Sequence, residues 1–166
     1  MAIQRTGHVA IRVRDLDAAK RFYGGILGMK LGGEIPGQAL FFRFDDYHHD
    51  VAVFKAADDA EPASKHHAGI AHIAFVADDF DAVRNTYRRL RDNGVPVTRT
   101  IDHGATKSVY FTDPDGIELE VYCEVPEFDW RHKWMVREHL DIESESAAKP
   151  LTTVSRSRQL PLPRDL

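Results

Sequence analysis

Apolar residues alternate with polar or small ones along residues 7–13, GHVAIRV, and again along residues 71–77, AHIAFVA. A period of two puts Val9, Ile11 and Val13 on one face of a strand and His8, Ala10 and Arg12 on the other. After each run the apolar spacing lengthens to that of a helix. Leu16, Ala19, Phe22, Tyr23, Ile26 and Leu27 form the first stripe, and Phe80, Val83, Tyr87 and Leu90 the second. Asp15 or Asp17 caps the first helix, and Asn93-Gly94 stops the second. Short β-prone runs follow. GMKLGGEI, QALFFRF and HDVAVF come after the first helix; VPVTRT, KSVYFT and IELEVYCE come after the second, the last behind the turn Asp113-Pro114-Asp115-Gly116. The pattern predicts β-α-β-β-β twice.

The two halves also match residue by residue. At an offset of 64, HVAIRVRDLDAAKRFY aligns without a gap on HIAFVADDFDAVRNTY. His8/His72, Ala10/Ala74, Asp15/Asp79, Asp17/Asp81, Ala18/Ala82 and Tyr23/Tyr87 are identical pairs. One such unit leaves a sheet face bare, so two must pair to bury it. The expected fold is therefore α+β, with two βαβββ modules, roughly residues 5–57 and 69–124, forming a curved mixed sheet within a domain of residues 1–125. Residues 126–140, PEFDWRHKWMVREHL, read as an aromatic segment packing on that domain. The Ser- and Pro-rich remainder of 126–166 reads as an extension, serving as a lid or an arm.

Composition narrows the function classes. The 166 residues are 43% hydrophobic and 29% charged, as in a globular domain, and the net charge of −4 offers no basic footprint for nucleic acid or anionic membrane. No apolar run approaches the ~20 residues of a membrane span. The single cysteine, Cys123, allows no disulfide within the chain and suits a cytoplasmic setting. The unusual component is histidine, with nine copies.

Two of the nine, His8 and His72, head repeat-related strands. On the last strand Glu118, Glu120 and Tyr122 share a face. If the sheets curve into a trough, His8, His72 and Glu120 converge from three strands. Two imidazoles and a carboxylate are the facial set that suits non-haem Fe(II), with open positions left for other ligands.

These landmarks, HVAIRVRDLDAAKRFYGGILGMKL, GIAHIAFVADDFDAV and VYFTDPDGIELEVY, resemble the vicinal oxygen chelate superfamily across residues 5–124. That superfamily includes glyoxalase I, methylmalonyl-CoA epimerase, the fosfomycin and bleomycin resistance proteins and the extradiol dioxygenases. The resemblance implies metal ligands at His8, His72 and Glu120. Glyoxalases and epimerases carry a fourth ligand on the last strand of the first half. Matching DVAVF to IELEVY puts Ala52 at that position, and alanine ligates nothing.

The run YHHDVAVF is similar to the His-Asp-Val-Ala stretch of catechol-cleaving extradiol enzymes, which makes His49 the acid/base residue, with His48 as its rival in register. DHGATKSVYFTDPDG resembles their His-Gly…Tyr-Phe-x-Asp-Pro pattern, which implies His103 and Tyr110 as hydrogen-bonding partners of the substrate. The loop between them is about two residues shorter than in the larger relatives. By this resemblance the chain is expected to be a small single-domain extradiol dioxygenase, opening a catechol such as L-DOPA with Fe(II) and dioxygen. Mn(II), Ni(II) and Zn(II) are the alternative metals, and a homodimer or higher homo-oligomer is the expected assembly. The competing readings are a glyoxalase- or epimerase-type isomerase and a drug-sequestering binding protein.

Overall fold

In the computed structural model, which describes residues 2–3, 5–133 and 136–144, strand β1 (Val9–Val13) turns at once into helix α1 (Leu16–Ala19). Of the two acidic candidates Asp15 is the cap, its carboxylate accepting from the amides of Asp17 and Ala18 at 2.8 and 3.0 Å. The helix does not stay α. It widens into a π-helical segment (Lys20–Ile26), closed by the Leu27 amide on the Phe22 carbonyl at 2.9 Å. Gly24 and Gly25, both weak helix formers, lie within it. In the second half α2 (Phe80–Asp92) is regular, capped by Asp79 on the Ala82 amide at 2.8 Å.

The expected mixed strands of the two βαβββ modules form two sheets, one per module. In the first, β1, β4 (Val51–Lys55), β3 (Ala39–Arg43) and β2 (Lys30–Ile35) lie in that order. In the second the order is β5 (Ile73–Val76), β8 (Glu118–Glu124), β7 (Thr106–Thr112), β6 (Val97–Asp102) and β9 (Glu138–His139). In each module the first strand runs parallel to the last of its β-β-β run, and the other pairs within that run are antiparallel. The repeat extends to an irregularity: both second strands carry a bulge, between Leu31 and Gly33 and between Val97 and Arg99.

Register fixes which residues correspond. Ala10 pairs with Ala52, which pairs with Phe41; Ala74 pairs with Glu120, which pairs with Tyr110. Ala52 is thus the counterpart of Glu120, as the hydrophobic ends of the strands suggest, and Phe41 is the counterpart of Tyr110.

The core unites both modules. Val13, Phe22, Tyr23, Phe42 and Val53 from the first join Phe80, Val83, Leu90, Phe111 and Leu119 from the second, all under 5% exposed. Tyr23 crosses between modules to donate its hydroxyl to Asp113 Oδ2 at 2.9 Å. Asp113 Oδ1 accepts from the amides of Asp115 and Ile117 at 2.9 and 2.8 Å, which shapes the turn leading into β8, and Gly116 supplies the positive φ of +84°. Arg14 closes the same junction on Asp115 at 2.7 Å. Beyond Glu124 the chain adds β9 to the edge of the second sheet, and Leu140 and Ile142 sink into the core at 2% and 3% exposure. The rest of the proposed arm, residues 145–166, lies outside the described residues, as does Trp134. No helix among the described residues is long and apolar enough to cross a membrane.

Candidate functional site

On the open face of the second sheet, His72 stands one residue before β5 and β8 presents Glu120 beside that strand. His72 Nε2 lies 3.1 Å from Glu120 Oε2, and Glu120 is 6% exposed. Across β8, Tyr110 of β7 stands opposite Glu120 and is itself buried at 4% exposure. Its hydroxyl is 3.0 Å from His103 Nε2, so the shorter loop still joins the two residues that the motif pairs. Burial, then the hydrogen bond to Glu120 and that residue's charge, pushes the Tyr110 phenol up to about 12, while Arg99 pulls the other way.

Arg99 is a member of this group that the sequence did not disclose. Its guanidinium carbon sits 3.9 Å from the centre of the Tyr110 ring, and its fork grips Glu118 at 2.6 and 2.7 Å. The Arg99 hydrogen bond, ahead of burial, holds the Glu118 carboxyl below its usual range. Strict alternation puts Arg99 level with Val97 and Ile101; the bulge between Val97 and Arg99 breaks that alternation. An arginine inside a half-buried strand is the one local signal that could have marked it. Glu118 is accordingly half-buried and paired.

The first sheet contributes differently. His8 is exposed, and its ring centre is 4.5 Å from that of His49. His49 also meets Phe41 edge-on at 5.3 Å. His48 turns away to stack on Tyr47 at 4.0 Å, so of the two rivals only His49 stands against His8 and Phe41. The Nδ1 atoms of His48 and His49 are 2.7 Å apart, so one must carry a hydrogen and the other accept it. Burial, then the charges of His48 and His8, keeps His49 below the ordinary imidazole range.

The donor set fits a divalent metal in kind: two imidazoles and a carboxylate. The structure assembles part of it. His72 and Glu120 face each other, whereas His8 is held beside His49. Among the described residues no three His, Cys, Asp or Glu side chains cluster closely enough to hold an ion. His66 and His67 lie exposed in the inter-module linker. A cleft of about 940 Å³ is walled by Ala10, Arg12, Ile73, Arg99, Glu118 and the linker around Lys65, and none of His8, His49, His72, His103, Tyr110 or Glu120 lines it.

A sequence profile of the Glyoxalase/Bleomycin resistance protein/Dioxygenase superfamily matches residues 5–121. Biphenyl-2,3-diol 1,2-dioxygenase 2 of Rhodococcus globerulus is 31% identical over 122 residues, which cover 72% of this chain and 64% of that protein. The chain thus spans less than two thirds of that relative's length. The metallothiol transferase FosB of Staphylococcus saprophyticus subsp. saprophyticus is also 31% identical over 122 residues, covering 72% of this chain and 77% of that one. Among solved structures, a lactoylglutathione lyase from Agrobacterium tumefaciens matches with a TM-score of 0.59 at 25% identity, over 74% of this chain and 96% of that chain. These relatives share a fold and differ in reaction, and with its paired modules this chain belongs to the Glyoxalase/Bleomycin resistance protein/Dioxygenase superfamily.

Proposed function

We propose that the chain is an Fe(II)-dependent extradiol dioxygenase that opens the ring of a catechol. The observation that carries this reading is the unlike pair Ala52 and Glu120. The first module keeps its strand-leading histidine but puts a methyl group where the second puts a carboxylate. Three protein donors leave a metal more open positions than four, which suits a substrate that brings two oxygens of its own and a reaction that also needs dioxygen. An isomerase of the glyoxalase kind needs the donor that Ala52 lacks.

His8, His72 and Glu120 would hold the metal. The bound metal supplies Lewis acidity toward the catechol oxygens and electron transfer to dioxygen. The remaining work falls to side chains. Tyr110 and His103, joined at 3.0 Å, are the hydrogen-bonding pair for a substrate oxygen. His49, between His8 and Phe41, is held below the ordinary imidazole range, which makes its imidazolium a stronger acid that gives up its proton more readily. The cleft of about 940 Å³ walled by Ala10, Arg12, Arg99 and Glu118 has room for a ring substituent.

Anaerobic reconstitution with Fe(II), then catechol or L-DOPA in air, tests the reading. A yellow ring-opened product must form with Fe(II), be absent with Zn(II), and fall by about 10²–10⁴-fold in His49→Phe. Absence of colour with every catechol tried refutes the proposal.

A further inference from the structure

The segment after Glu124, beyond the 5–121 matched to the superfamily, reaches back onto the loop that carries His103. A side chain on Gly104, which has φ +77°, would overlap the Phe128 ring, so that ring lies flush on the loop next to His103. Val136 then makes a double contact with His103. Its amide donates to the His103 carbonyl at 3.0 Å, and its own carbonyl lies 3.1 Å from His103 Nδ1. Downstream the strap is anchored firmly. Glu138 and His139 pair with Asp102 and Ile101, and the Thr100 hydroxyl donates to the Leu140 carbonyl at 2.7 Å. Leu140 and Ile142 are buried, and Arg84 Nε donates to the Ile142 carbonyl at 2.9 Å.

A carbonyl oxygen only accepts, so the ring nitrogen facing Val136 must be Nδ1–H. In the neutral imidazole the lone pair then falls on Nε2, 3.0 Å from the Tyr110 hydroxyl. That hydroxyl has one hydrogen, and His103 Nε2, the Glu120 carboxylate and the Ser108 hydroxyl all border it. With the opposite tautomer Nε2–H would face the phenol, which would turn its hydrogen to Glu120. We propose that the backbone of Val136 is a positioning group: it locks His103 as the Nδ1–H tautomer and so directs the Tyr110 hydroxyl to His103 Nε2. The catalytic consequence rests on the ring-cleavage reading; the tautomer does not.

The test uses the full chain labelled with ¹⁵N-histidine, with the His103 signals identified by their loss in His103→Gln. Long-range ¹⁵N–¹H correlations at a pH where the ring is neutral report which nitrogen carries hydrogen. Two variants loosen the strap: Val136→Pro removes its amide donor while leaving Leu140 and Ile142 in place, and Leu140→Ala/Ile142→Ala loosens its anchor. The parent is expected to show hydrogen on Nδ1, and each variant that keeps a native circular dichroism spectrum a shift toward Nε2–H. Where catechol cleavage is observed, kcat should fall about 10–100-fold in those variants with KM little changed. A bare Nδ1 in the parent, which its spectrum alone decides, overturns the proposal, as does an unchanged tautomer in a folded variant whose strap amides exchange freely. Because the spectra need no substrate, they decide the tautomer whether or not ring cleavage is found.

Discussion

Replacing Tyr23 by Phe removes one oxygen from the seam between the modules. The Tyr23 ring is 0% exposed and Phe fills the same space, so no cavity term arises; the loss is that of the hydroxyl donated to Asp113 Oδ2 at 2.9 Å. A hydrogen bond to a charged acceptor contributes about 1.5–3 kcal/mol. Asp113 is 4% exposed, and burial pushes its carboxyl above the usual range although Tyr23 and two amides pull it down. Without Tyr23 it rises further, and the carboxylate can escape part of the penalty by taking up a proton. The expected loss near pH 7 is therefore about 2 kcal/mol, or about 4–8 °C in Tm for a chain of this size.

The pH dependence has a definite sign. The fold favours neutral Asp113, so this group's contribution to stability is fully present below its unfolded pKa and is lost as pH rises through the folded value. The variant's folded value is the higher of the two. The gap between parent and variant should therefore narrow toward about 1 kcal/mol, the worth of a neutral hydrogen bond, as pH falls to about 4. Urea unfolding at both pH values, in a double-mutant cycle with Asp113→Asn, measures it. A gap under about 0.5 kcal/mol at pH 7, or one that widens in acid, would show that this bond does not couple the modules.

Three further outcomes follow from the site. Arg99→Met should return Glu118 to an ordinary carboxylate range and raise the Tyr110 phenol still higher, seen in NMR and phenolate-absorbance titrations, at a cost of about 1–2 kcal/mol in stability. The fold favours the neutral Tyr110 phenol, so stability should decline as pH rises from 10 toward about 12; Tyr110→Phe should flatten that decline by up to about 2–3 kcal/mol in alkaline urea titrations. Ala52→Glu would copy Glu120 into the first module. Competition with a chelating dye should then show tighter Ni(II) or Co(II) binding, and any ring cleavage should drop at least about tenfold; unchanged values for both would refute the place assigned to Ala52.

Much of the frame was legible because it is local and periodic. The offset of 64, the strand alternation around Val9 and Ile73, the Asp79 cap and the DPDG turn each follow from a few neighbouring residues. The repeat and the resemblance single out His8, His72, Glu120, His103 and Tyr110; the structure sets His72 beside Glu120 and His103 beside Tyr110, but His8 beside His49. Contacts between remote segments were not legible. Nothing near Tyr23 announces that its hydroxyl lands on Asp113, ninety residues away. The π-helical widening at Lys20–Ile26 keeps the same apolar residues as an α-helix, so spacing alone does not separate the two. Leu140 and Ile142 stand among charged residues, EHLDIESE, and their burial depends on the edge of β6 being open to receive β9.

The proposed chemistry lies where the two modules stop matching. A frame of two like modules offers equal walls, whereas the proposed ring cleavage, with a metal keeping open positions and a substrate on one side, would need unequal ones. Register identifies the substitutions that make them unequal: Gly33 against Arg99, Phe41 against Tyr110, Ala52 against Glu120. In each the first module holds a small or apolar residue and the second a charged or hydroxyl-bearing one. The second wall thereby gains a carboxylate, a phenol and a guanidinium that restrain one another, while the first stays apolar behind His8 and His49. The same asymmetry accounts for the strap: only the second module has a His103–Tyr110 pair to orient, and only its sheet receives β9 along β6.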